Sequence, residues 1–368
     1  MQQTQQNSWA VEIEGMADFE LSMKRITAWY ENEIIDRPPV RFVAHNEFLE
    51  SAKEDISQLS PAAKKAWWFD VETQIDLFLK SIAGRKFHGE TFPVFFPNLG
   101  PDVYAAFYGA QLEFGEVTSW SIPLVRGWDD VEKLVLDMDN EYFRKLEELT
   151  KSALEQCPGK FLVGYTDLHP GLDCVAAWRD PQQLCFDIID NPHKVKELAE
   201  LALADFETIY DHFDNMLKDH NQLSVSWMGI PSFGRMHIPS CDFSTMISPA
   251  FFKEFGLPIL QREVQTMTQN IFHVDGKGVA RHLDAILSVP QVHALQWVQG
   301  VGDDLPIMQW LPFLKELQAR NVPTIVDLNK VELDVFMAEM KPHGLFLWIA
   351  TDNEEEELEI LNRVAHWA

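Results

Sequence analysis

The chain has 368 residues, 46% of them hydrophobic, enough for a large buried core within one large domain. With 30 Lys plus Arg against 57 Asp plus Glu, its formal net charge is -27, which repels phosphate backbones and anionic lipid and excludes nucleic acid and membrane surfaces as expected partners. No run of ~18 apolar residues is present to span a bilayer. The polar start MQQTQQN lacks the apolar stretch of a secretion signal, and Cys157, Cys174, Cys185 and Cys241 show no CxxC spacing, so the expectation is a cytoplasmic protein with reduced thiols.

In chain order, Phe19, Met23, Ile26 and Tyr30 recur at helical spacing and predict an N-terminal helical extension over residues 1–36. Residues 37–368 then alternate β-rich and helical runs. Strands are predicted at Val40–Val43, Pro93–Phe96, Phe161–Gly164, Leu223–Ser226, Asn270–His273, His293–Gln296, Thr324–Val326 and Leu345–Trp348. Val117–Pro123 reads as an extra strand or an insertion. Helices are predicted at Pro192–Asp219, Ser248–Met267, Val279–Leu287, Leu311–Arg320 and Asn353–His366. Strands separated by helices imply an α/β fold with a parallel sheet. Eight such runs imply a single (β/α)8 TIM-type barrel domain, with an open doubly wound sheet as the alternative. No GxGxxG or GxxxxGK[ST] turn follows any strand, so the usual nucleotide-cradling loops of that alternative are missing.

Barrels place their chemistry where strands end. The sharpest such end is Ile271-Phe272-His273-Val274-Asp275-Gly276. Residues two apart on a strand face the same side, so His273 and Asp275 share one face and suit metal ligation or acid–base work. A plain reading, in which Asp275 caps the turn and His273 hydrogen-bonds to it, stands beside this. Asp167 and His169 occupy another predicted strand end, as a pocket pair or a local turn. Asp167-Leu168-His169-Pro170-Gly171 departs from the corrinoid signature DxHxxG, because its glycine comes one position early. His45, Asn98, Tyr165 and Asp327 lie at further predicted strand ends. The Gly/Pro/Ser-rich stretch Gly234–Ser244 carries Arg235, His237, Cys241 and Asp242, either substrate contacts or a surface loop. Trp227, Gln296, Trp297 and Trp348 complete the expected wall, unless the aromatics are simply core.

These residues resemble the uroporphyrinogen decarboxylase superfamily, which includes corrinoid-linked methyltransferases. Asp242-Phe243-Ser244-Thr245-Met246-Ile247-Ser248-Pro249 with Phe255 and Pro258 is similar to its "D…(I/M)SP…F…P" stretch, and His273-Val274-Asp275-Gly276 to its strand-end histidine motif. Leu295-Gln296-Trp297 with Gly300 resembles its next strand end, and the likeness spans residues 37 to 366. Arg41-Phe42-Val43-Ala44-His45 stands where the decarboxylase has an arginine-rich motif, so this branch is expected not to decarboxylate uroporphyrinogen. Asp275 stands where thiol-activating relatives have a zinc-binding cysteine, which leaves a site of histidine and carboxylate ligands.

The resemblance implies a methyltransferase-like enzyme acting on a small molecule. His273, Asp275 and Asp242 are the expected catalytic residues, with His273 and Asp275 either as ligands of a divalent metal such as zinc or as an acid–base pair. Arg235, His237, Trp227, Gln296, Trp297, Asp167, His169 and Trp348 are the expected substrate contacts. Any corrinoid would come from a separate partner protein, and a homo-oligomer is left open. Two other readings are a decarboxylase or lyase acting on a smaller carboxylate, with Arg235 and Arg179 as its anchors, and a non-catalytic protein that binds a tetrapyrrole or other aromatic ligand.

Overall fold

The computed structural model describes residues 11–44 and 55–367. Its strands are β1 (Val40–Ala44), β2 (Val94–Phe95), β3 (Gln111–Phe114), β4 (Ser119–Ile122), β5 (Leu162–Val163), β6 (Met236–His237), β7 (Gln269–Asp275), β8 (Ala294–Val298), β9 (Thr324–Leu328) and β10 (Leu345–Thr351). Six of them form a curled parallel sheet in the order β1-β10-β9-β8-β7-β6. A second parallel pair joins β2 to β5, and β3 and β4 form an antiparallel hairpin. Val117–Pro123 is thus the second arm of an inserted hairpin.

Seven of the eight expected strand runs fall on strands. The exception is Leu223–Ser226, which makes only a one-residue antiparallel bridge between Ser224 and Ser232. Gly229, Pro231 and Gly234 turn the chain back at this point, so the sheet edge is β6 instead. Backbone bonds nevertheless connect the β2–β5 pair to its neighbours. Glu90 N–H donates to Val40 O and Tyr165 N–H donates to Val225 O.

The predicted helix Pro192–Asp219 is two helices, Pro192–Ala204 and Phe206–Lys218, broken at Asp205. Ser248–Met267 is broken too. A π-helical turn spans Phe252–Gly256 just before Pro258, whose missing N–H cannot continue the α-helical ladder.

The strands carry apolar residues on both faces, as a parallel sheet covered by helices requires. Phe272, Val274, Leu295, Val326, Leu345, Leu347 and Ile349 join the larger core that includes the helices. Their strand neighbours Ile271, Ala294, Ile325 and Phe346 point the other way and form an inner core with Met23, Ile26 and Trp29 of the helix Phe19–Tyr30. Trp29 Nε1–H donates to Gly344 O, just before β10 begins. The N-terminal helix therefore closes the amino ends of the strands, and the polar residues gather at the carboxyl ends.

Candidate functional site at the carboxyl ends of the strands

Parallel register lines up the inward side chains. Arg41 on β1 lies opposite Trp348 on β10, Trp348 opposite Asp327 on β9, and His273 on β7 opposite Gln296 on β8. The strand β7 ends at Asp275, and the next residue, Gly276, has a φ of 70°, a left-handed conformation that glycine adopts without strain. His273 and Asp275 therefore share a face, and the 3-10 turn Asp242–Met246 after β6 brings Asp242 to them. One ligand atom from each of Asp242, His273 and Asp275 lies within 4.8 Å of the others.

His273 is held by its neighbours. Its Nδ1 is 2.7 Å from Gln296 Oε1, and Trp227 meets its ring edge-on at 5.3 Å. An amide oxygen only accepts, so Nδ1 carries a proton and Nε2 is the lone-pair nitrogen of the neutral ring. Asp242 is held through its backbone. Asp173 accepts from the N–H groups of Asp242 at 3.0 Å and Phe243 at 2.9 Å, and Ser240 Oγ lies 3.3 Å from it. Burial and the charge of Asp173 push the Asp242 carboxyl above its usual range.

Two flanking groups tune the charge. Arg41 donates from Nη1 to Met228 O at 2.5 Å, and its guanidinium lies 4.4 Å from the Trp348 ring centre. A Cβ on Gly229 would stand 3.2 Å from Arg41 Nη2, so glycine gives the guanidinium room. Burial lowers Arg41 to about 10 and raises Asp327 to about 6, the latter against the pull of Arg41 and His273. On the other flank His169 Nε2 is 2.8 Å from Asp167. Burial opposes the His169 charge, but Asp167, Asp173 and Asp242 outweigh it and raise His169 to about 10, so it is an imidazolium at neutral pH. A cleft of about 460 Å³ opens beside this group, lined by Asp102, His169, Asp173 and Asp242 with Trp120 and Met246.

The carboxyl ends thus bring together His273, Asp275, Asp242, Gln296, Trp227, Trp348, Asp167 and His169. Three expected contacts lie elsewhere. Trp297 follows Gln296 on a strand, so it must face the opposite side, and it packs against Trp310 and Phe313 in the outer core. Arg235 pairs with Asp211 and Glu207 and covers the Tyr210 ring, along the helix Phe206–Lys218. His237 packs on Phe206, with Nε2 2.9 Å from Glu263. Arg179, an expected carboxylate anchor, is held by Asp187 at 2.6 Å and by the carbonyls of Val125 and Arg126. His45 lies outside the described residues.

Sequence reasoning missed Arg41, Asp102 and Asp173. Arg41 had a local signal, since a charged residue between apolar Val40 and Phe42 on a strand marks the inward face. Asp173 had none, because its partners lie ~70 positions away in sequence.

No protein-family model and no curated relative matches the sequence. The fold is similar to that of a methyltransferase from Methanosarcina mazei, with a TM-score of 0.60, 12% sequence identity, and coverage of 94% of this chain and 98% of that one.

Proposed function

We propose that the chain is a methyltransferase-like enzyme of the uroporphyrinogen decarboxylase superfamily. In this reading residues 37–368 form one (β/α)8-type barrel behind the N-terminal extension 1–36, and a small molecule reacts at the carboxyl ends of its strands. The observation that carries the proposal is the convergence of His273, Asp275 and Asp242. The fold likeness to a methyltransferase supports it, and the backbone bonds that tie β2 and β5 to their neighbours support closure of the barrel.

The same three side chains fit a divalent ion such as zinc. One imidazole and two carboxylates are an acceptable donor set, the atoms are close enough to share one ion, and the bond to Gln296 leaves His273 Nε2 as the ligand atom. Such an ion would supply Lewis acidity to polarise a bound substrate group. The chain's own residues do the rest. Gln296 fixes the His273 tautomer, Asp173 holds the turn that presents Asp242, and Trp227 limits the ring's rotation. Any corrinoid methyl carrier would be brought by a separate partner protein.

Electrostatics favours this reading over decarboxylation of a carboxylated substrate. Asp102, Asp167, Asp173, Asp242, Asp275 and Asp327 crowd the strand ends, while Arg235 and Arg179 are occupied elsewhere. A polyanion would meet mostly like charge.

The test is His273→Ala. Methyl transfer from candidate methylated donors should drop by at least about 100-fold, and bound metal in the purified protein should fall away. Unchanged turnover in a folded His273→Ala protein sinks the assignment.

A further inference from the structure

A cleft of about 630 Å³ opens between the carboxyl ends of β9 and β10 and the turn after β8. That volume lies within the roughly 300–1,000 Å³ usual for small-molecule sites. Its walls are mainly apolar, with Leu305, Val331 and Ala350 among them. Asn329 and Glu332 also border it, and three further groups, on Trp348, Gln299 and Asp327, carry polar atoms without a hydrogen-bond partner among the described residues.

Trp348 is 8% exposed, and its Nε1–H has no hydrogen-bond partner among the described residues. Gln299 is 6% exposed. Its amide nitrogen donates to Leu305 O and Asp327 O, and its buried Oε1 has no partner among the described residues. The carboxylate of Asp327 makes no hydrogen bond or ion pair among the described residues. Arg41, spent on Met228 O and the Trp348 ring, acts on it only at longer range. Buried polar groups are nearly always satisfied, so an orphan donor and an orphan acceptor on two residues that line one cleft point to a ligand that supplies both partners. Gln299 also borders the cleft that contains Asp275, so a ligand here reaches toward the reactive side chains.

We infer that this cleft is the substrate pocket, and that it takes a small apolar amine carrying a neighbouring oxygen acceptor. The ammonium N–H groups bond Asp327 and Gln299 Oε1, the oxygen accepts from Trp348 Nε1–H, and the hydrocarbon body covers the apolar walls. A carboxylate ligand would face Asp327 and Glu332, and a purely apolar one would leave both orphan groups unsatisfied. The inference names the substrate class of the proposed enzyme and rests on that reading of the site, but binding alone tests it.

The probe is 2-amino-3-phenylpropan-1-ol, titrated calorimetrically into the full chain, with 3-phenylpropan-1-ol and 3-phenylpropanoate as comparators. The amino alcohol should bind at least about tenfold more tightly than either, as charge-assisted hydrogen bonds imply, and Asp327→Asn or Gln299→Met should each remove about that factor. In the unmodified protein, the indole ¹H–¹⁵N signal of Trp348, assigned by its absence from Trp348→Phe, should move downfield as the probe binds. Equal affinity for the amine and the neutral alcohol, or an immobile Trp348 signal at saturation, overturns the pocket. Amine binding by a protein that transfers no methyl group supports the pocket and overturns only the catalytic reading.

Discussion

Gln296 shows how much one uncharged side chain decides. Its carbonyl sets which nitrogen of His273 holds the proton, and so which one is available to a ligand. Gln296→Leu should weaken zinc binding by about 10- to 100-fold in competition with a chelator, while Gln296→Glu, which keeps an acceptor, should retain most of it. Equal zinc affinity in the Leu variant would show that the bond does not orient the ring. At this scale the site was partly legible. His273, Asp275 and Gln296 stood out because an apolar strand that ends in polar residues is conspicuous in one dimension. Trp297 misled for a related reason: its nearness to Gln296 in sequence hid the alternation that turns it outward.

Among the elements, the helix Phe19–Tyr30 has the clearest task. Asp18 caps it by accepting from Leu21 N–H, and the buried residues Met23, Ile26 and Trp29 plug the amino ends of the sheet. Trp29 is 1% exposed and its indole bonds a backbone carbonyl, so truncation removes both packing and a buried partner. Trp29→Ala should cost about 3–5 kcal/mol in urea denaturation. A loss below about 1 kcal/mol would mean that the helix merely lies on the surface. The helix was legible from its spacing. The expected strand Leu223–Ser226 was not realised, because β propensity cannot report that three turn-forming residues follow closely enough to reverse the chain.

For the whole molecule, the buried pair His237 and Glu263 makes stability depend on pH. Burial pushes Glu263 from 4.5 up to about 8, and burial together with the charge of His169 pushes His237 from 6.5 down to about 3. Asp167 and His169 are the charged groups that act on the pair, and Cys241 stays a thiol beside Glu263. Glu263 keeps its proton in the folded state after the unfolded chain has released it. Its contribution is complete below pH 4.5 and is lost as pH rises through about 8. His237 works in the opposite sense, since only the unfolded chain takes a proton between about 3 and 6.5. The two cancel from 4.5 to 6.5. From 6.5 to about 8 Glu263 acts without His237, and its share of the fall in stability is at most about 1.4 kcal/mol per pH unit; His169, raised from 6.5 to about 10, adds a fall of the same sign. Glu263→Gln should make that decline shallower and leave the part due to His169, as read from urea midpoints across the range. A decline equally steep in both proteins would place the titration elsewhere.

Periodicity, turn residues and the polar ends of apolar runs are local properties, and from them the sequence by itself determined the α/β alternation, seven strand positions, the N-terminal helix and the shared face of His273 and Asp275. What only the tertiary structure decided was who meets whom across long separations: Asp242 at His273, Asp173 behind Asp242, Arg41 against Trp348, and Arg235, His237 and Trp297 turned away. Those meetings depend on strand register and on the path of the loops. Both are settled when the whole core packs, and no stretch of a few residues carries that information.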